Sequence, residues 1–232
     1  MTQDRINGMI LGIFYILAAV TSIIAVVLYD PVLSEQWYMA VTNGLESKVL
    51  LGVLNDLFLV VSAVGTAIML FPYLRHWSEH LALGYFCFRF MEAVFIAIGL
   101  VSILGLLHLS AYYEAGELAS EESLSAVGIV LQGFHRWTFM LGPNFMLGLN
   151  TVLYSYLLFR TRLVPKQLAL FGIVTAVLVF IAGLLEMFGI VEPLSTVKGF
   201  IALPVGVYEL SLAVWLIVKG FNKQKLEELK TR

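Results

Sequence analysis

"YFCFRFMEAVFIAIG", residues 85–99, is aromatic and aliphatic almost throughout, yet it carries Arg89 and Glu92. An apolar run of this kind reads as a segment immersed in lipid. An ionised side chain at the centre of a bilayer costs at least about 2.5–3.5 kcal/mol on insertion scales. Two residues spaced i, i+3 share one face of a helix, so Arg89 and Glu92 must turn together toward a protein interior. The stretch predicts a membrane-spanning helix with a polar inner side, which requires further helices to supply that interior.

The rest of the chain supplies them. Of the residues, 60% are hydrophobic and 13% charged, where soluble domains carry about a quarter charged. A spanning helix needs roughly 20 mostly apolar residues, and such runs fall at about Ile6–Leu28, Val49–Phe71, Leu81–Leu107, Ala126–Phe159, Leu168–Ile190 and Val197–Val218. The first is too long for a signal-peptide core and lacks a small-x-small exit before Asp30, so it reads as a retained helix. Pro143 beside Gly142 predicts a kink in the fourth run, or a start outside the membrane.

If six spans alternate, Arg5, Arg75, Arg160, Arg162, Lys166, Lys219, Lys223, Lys225, Lys230 and Arg232 share one side. Asp30, Glu35, Glu46, Glu114, Glu117, Glu121, Glu122 and Glu192 fall on the other, with only Lys48 and Lys198 as cations. Basic residues mark the cytoplasmic side. The fold expected is therefore an all-α, multi-pass bundle of six transmembrane helices in a bacterial cytoplasmic membrane. Both termini are then cytoplasmic, with a transmembrane domain over 1–218 and a tail over 219–232. The net charge of −2 gives no sign of nucleic acid binding. Cys87 is the single cysteine, so no internal disulfide forms, and its simplest role is that of a small buried hydrophobe.

Between the first two spans, Leu33, Trp37, Val41 and Leu45 recur every four residues. A short interfacial helix would bury this stripe in lipid with Trp37 as anchor; alternatively the stripe caps the bundle and covers an outward-facing cavity. Ser120 before Glu121 and Glu122 reads as a helix N-cap with acids at the positive helix end, ahead of a cation-binding loop. The tail "KGFNKQKLEELKTR" suits attraction to anionic lipid, with a protein partner as the alternative.

At depth lie Asp56, Arg89, Glu92, His135, Arg136 and Glu209, with Glu186 near the outer end of the fifth span, within expected reach of water. At ~1.5 Å per residue, Glu92 sits ~16 Å and Glu209 ~18 Å from the ends of their spans, near the midplane. The same spacing puts Arg136, Met140, Pro143, Leu147 and Asn150 down one side of the fourth span. Ala202, Val205, Glu209 and Ala213 form a mostly small face on the sixth, allowing close approach. Asp56 is expected to pair with Arg136, and Arg89 with Glu209 or Glu92. Four acids against two arginines leave a carboxyl that is protonated, solvated or bound to a cation. Two readings follow: a ligand-binding or proton-exchange site, or neutral carboxyls that only hold helices together.

Catalysis is a third reading with no reactive group to carry it, since nucleotide loops, GxSxG, HExxH and a protease-like acid pair are absent from the sequence. His108 and His135 on the outer side suggest separate hydrogen-bonded histidines before a metal or haem site. No cofactor or metal is expected. Tyr85, Tyr112, Tyr113, Tyr154, Tyr156 and Trp137 read as interface aromatics. The expected partners are membrane lipid and a small amphipathic or anionic ligand, against the rival reading of a scaffold or sensor.

"DRINGMILGIFYILAAV", "RFMEA", "LVPKQLALFGIV" and "PVGVYELSLAVWLIVKGF", in this order, resemble a bacterial membrane family known as domain of unknown function 4386. The resemblance covers essentially the whole chain. It implies a six-helix inner-membrane protein and matches Arg5, Arg89, Glu92, Pro165, Glu209 and Gly220 to the family pattern. It implies no activity.

Overall fold

A computed structural model describes residues 2–34, 36–116, 121–192 and 195–231, and finds helix wherever the sequence predicts a span. Helix α1 covers Gln3–Leu28, the single turn α2 Asp30–Leu33, α3 Glu46–Leu74 and α4 Glu79–Glu114. Helix α5 (Glu121–Met140) continues through a π-helical segment, Leu141–Met146, into α6 (Leu147–Thr161). Then come α7 (Lys166–Met187), α8 (Thr196–Val218) and the short α9 (Lys223–Lys230). Among the described residues, five helices are long and apolar enough to cross a membrane: α1, α3, α4, α7 and α8. The run α5–π–α6 packs as one interrupted helix along α4, with α6 also against α7. Its break lies at Gly142-Pro143, where proline has no N–H to give to the preceding turn and the backbone widens.

Both termini lie at one end, called here the terminal end. Lys230 Nζ stands 2.9 Å from Asp4 Oδ2, and that hydrogen bond holds the ammonium above its ordinary pKa. Arg5 donates to the carbonyls of Leu216, Ile217 and Val218. These are carbonyls that a helix C-terminus leaves without partners, so one cation both satisfies and charge-compensates the end of α8. Ser78 and Ser195 cap α4 and α8 by accepting from the N–H of Leu81 and Lys198.

The segment after α1 is not one amphipathic helix. It forms α2 and a 3-10 turn, Trp37–Met39, folded over the far end of the bundle. The backbone is pinned by side chains from below: Ser110 Oγ donates to the Tyr38 carbonyl and accepts from the Val41 N–H, and Gln132 donates to the carbonyls of Val32 and Ser34. Trp37 is buried against Gly128, which has no room for a Cβ. Of the two readings of this stripe, the structure takes the cap. Glu35, Glu117 and the Ser120 cap lie outside the described residues, as do the side chains of Glu121 and Glu122.

Apolar packing is concentrated at the two ends. The larger core, at the terminal end, joins Leu11 and Tyr15 of α1 to Leu70, Leu157 and Leu212, and takes in Leu226 and Leu229 of α9. A second core at the far end holds Tyr29, Val32 and Trp37, with Leu100, Ile103 and Leu106 of α4 and Leu124 of α5. Between them only a small cluster of Ala18, Leu59 and Ile96 remains. The waist of the bundle is where the buried charges sit.

Helices α1 and α8 touch closely near the terminal end. There a Cβ on Gly12 would lie 2.7 Å from the Ala213 carbonyl oxygen, a backbone atom that cannot swing away. Farther along, a Cβ on Gly199 or Gly206 of α8 would meet nothing within 4 Å. Gly12→Ala should therefore cost about 1–3 kcal/mol by wedging the two helices apart, lowering Tm in detergent, while Gly206→Ala leaves it unchanged or raises it. Equal effects of the two would contradict this packing.

Candidate functional site

Arg89 is 2% exposed in the middle of α4. Its Nη1 lies 3.0 Å from Glu92 Oε2, one turn on, and 3.5 Å from Glu209 Oε1 of α8. Its Nε donates to Thr66 Oγ1 of α3 at 3.1 Å. Asn150 of α6 donates to Glu92 Oε2 at 2.7 Å. The expected pairing of Arg89 with Glu92 or Glu209 is thus realised with both; α3, α4 and α8 meet at one guanidinium, and α6 joins through Glu92. One positive group faces two carboxyls, so the cluster carries one negative charge beyond balance when all three are ionised.

The other expected pair does not form. Asp56 accepts from the Tyr29 hydroxyl at 3.0 Å and from Asn55 at 3.3 Å. Arg136 is exposed and lies with its guanidinium 5.8 Å from the Trp137 ring. The π segment explains the correction. Counting back from buried Asn150 in steps of an unbroken α-helix reaches Arg136, but the π segment takes up an extra residue, which turns everything before it by about 100°. His135 therefore takes the inward place. Its Nδ1 is 3.4 Å from the Gly99 carbonyl oxygen, and its ring packs edge-on against Tyr29 at 5.8 Å. Asp56, Tyr29 and His135 form a second polar group toward the far end, separate from the Arg89 cluster. His108 packs on Tyr112 instead. Among the described residues no three His, Cys, Asp or Glu side chains come together to hold a metal.

Above the Arg89 cluster opens a cavity of about 690 Å³ in the half of the bundle away from the termini. Arg89, Glu92 and Glu209 contribute to its floor. Small side chains keep its walls apart: Ala18, Ala19 and Ser22 on α1, Gly199, Ala202 and Gly206 on α8. The small face of α8 predicts close helix approach along its length; of that face, Ala213 makes it and Ala202 borders open space. The cavity reaches the perimeter of the bundle between α1 and α8, since Ile23, Val27 and Leu203 line it and are also exposed on the outside. Asn144 of the π segment lines the cavity too, and its buried Nδ2 has no hydrogen-bond partner among the described residues.

Several residues stand elsewhere than the sequence suggests. Glu186 does not reach water: it is buried and forms an ion pair of 2.6 Å with Lys198, across from α7 to α8 at the far rim of the cavity. Opposite charges on either side of one short connection were the available signal. Tyr85 and Tyr154 are not interface residues but fully buried: Tyr154 stacks on Tyr208 and packs against Tyr15 and Tyr85, and the Tyr15 ring lies under Arg89. Among the described residues, the hydroxyls of Tyr15, Tyr85 and Tyr154 have no partner at hydrogen-bonding geometry, while Tyr208 accepts from Ser155 at 2.8 Å. Cys87 is exposed on the outer face of α4 rather than buried.

Removing one member of a buried ion pair strands the other and costs about 3–5 kcal/mol. Arg89→Gln should therefore lower Tm strongly, because it strands two carboxyls. Adding Glu209→Gln in the same protein should return part of that loss. Strictly additive losses in unfolding experiments would show that the two side chains do not interact.

Neither a curated protein nor a solved structure matches this chain. A family model matches residues 10–220, nearly its whole length. The chain belongs to the family described as "Domain of unknown function (DUF4386)".

Proposed function

We propose that this integral membrane protein binds a small amphipathic molecule in the cavity between α1 and α8, with the polar head against the Arg89 cluster, and that binding is linked to a proton. The observation that carries the reading is the combination of an apolar wall open at the bundle perimeter with a polar floor that has unused capacity. The uncompensated carboxyl of the Arg89–Glu92–Glu209 group and the unpartnered Asn144 amide both border the same space. Buried polar groups without partners are uncommon, and a ligand or ordered water is the usual reason for one.

Charge counting supplies the proton. An anionic head that takes the place of Glu209 beside Arg89 adds a second surplus negative charge to a site that already holds one. Desolvated charge is expensive at this depth, so Glu209 must accept a proton as the anion enters. Glu209 then acts as the proton-exchanging group and Arg89 as the anion contact. Asp56 and His135 belong to the other polar group and have no direct part; Arg136 has none. With the basic terminal end in a bacterial cytoplasm, as the Lys/Arg asymmetry argues, the cavity opens on the outer-leaflet side.

The rival is a non-catalytic scaffold or sensor. It is favoured by the way Arg89 already satisfies itself on Thr66, Glu92 and Glu209, which suffices to fix three helices. The two separate in one experiment. Dodecanesulfonate, an anion that does not itself titrate, is added below its micellar concentration to the protein in weakly buffered nanodiscs. The wild type should bind it saturably and take up about one proton per molecule, by the charge count above. Glu209→Gln should bind without proton uptake. No saturable binding leaves the scaffold; binding with no uptake in the wild type removes the proton linkage.

A further inference from the structure

A second cavity, of about 360 Å³, lies at the terminal end between the α6–α7 turn and the end of α8. We infer that it is a site for the phosphodiester headgroup of an anionic phospholipid in the leaflet on that side. Arg162, Lys166 and Lys219 line it, and no acidic residue does. None of the three cations has a carboxylate partner among the described residues; Lys166 rests on the Phe159 ring at 5.4 Å. The acids nearby are engaged elsewhere, Asp4 by Lys230 and Glu228 by Lys225.

The backbone adds to the positive field. Helix α7 begins at this cavity with no side chain capping its first N–H groups, the end of a helix that favours anions. The opposing feature, the negative end of α8, is neutralised by Arg5 on the carbonyls of Leu216, Ile217 and Val218. Arg162 is held at the spot by a left-handed backbone, φ 56°, as the residue that ends α6. The buried indole nitrogen of Trp215, a lining residue, has no hydrogen-bond acceptor among the described residues.

The occupant follows from the mixture. Leu163, Val164, Trp215 and Phe221 give the cavity an apolar side, which a free inorganic anion would not use and a lipid's glycerol and upper acyl chain would. Its place at the end of long apolar helices puts it at headgroup depth, where each Lys or Arg near an anionic leaflet adds about fivefold in affinity.

The test uses the full chain in phosphatidylcholine nanodiscs doped with phosphatidylglycerol, with lipid retention read by native mass spectrometry and Tm as a second readout. Wild type should retain phosphatidylglycerol over phosphatidylcholine and melt higher with it. Arg162→Gly keeps the left-handed conformation that glycine adopts without strain, so it should fold normally in pure phosphatidylcholine. Combined with Lys219→Gln, it should weaken phosphatidylglycerol retention by more than tenfold. Arg75→Gln with Lys223→Gln removes equal charge from the same end outside the cavity and should leave retention intact. Equal loss in both double variants, or none in the first, overturns the site. A Tm rise of the same size from inorganic phosphate in phosphatidylcholine overturns the lipid as its occupant.

Discussion

The structure depends on the burial of one guanidinium. Arg89 lies at the depth where charge is least tolerable, and it is held there only because Glu92, Glu209 and Thr66 arrive from its own helix and two others. Asn150 fastens Glu92 from a fourth helix. Each of these groups would be costly alone in hydrocarbon, and together they satisfy most of one another's demand. The meeting point fixes how α3, α4, α6 and α8 are rotated about their axes, because any other rotation would expose a charged or polar side chain to lipid or strip the charged ones of their partners.

That arrangement divides the apolar packing into two cores with a polar waist between them. At the terminal end, close contact is set by Gly12 against Ala213 and by Arg5 on the last turn of α8. At the far end, Trp37 and the short turns around it close the top over Gly128. In between, the small residues of α1 and α8 border open space. Small side chains thus play two parts in this bundle: contact where the helices converge, and volume where they diverge.

Much of this was legible in the sequence. The long apolar runs and the i, i+3 pair in "RFMEA" identify the membrane helices and the inward face of α4, since both follow from periodicity and from the cost of charge in lipid. The meeting of Arg89 with Glu209 was also accessible, because both lie at mid-span. What was hidden depends on phase and on tertiary neighbours. Arg136 looks inward only on the assumption of an unbroken helix. Glu186 and Lys198 look solvent-facing one at a time, although as a pair they are buried. Tyr85 and Tyr154 resemble interface aromatics by their position near span ends, yet a second tyrosine layer from α1 and α8 makes that place interior. Cys87 shares its helix with buried neighbours but sits two residues from Arg89, about 200° round the helix, and points outward. Hydrophobicity alone does not tell a lipid-facing side chain from a core one, because both surroundings are apolar.

The π segment in the middle of the α5–α6 run holds one residue more than the helix needs for its length. Such slack is a store of rotation. If Leu141–Met146 rewound to α geometry, the half before it would turn by about 100° relative to the half after it. Asn144 and Pro143 would leave the cavity wall, and Arg136 would swing toward the helix face that His135 occupies. In the present alignment the positive charge of Arg136 lies on the outside of the bundle.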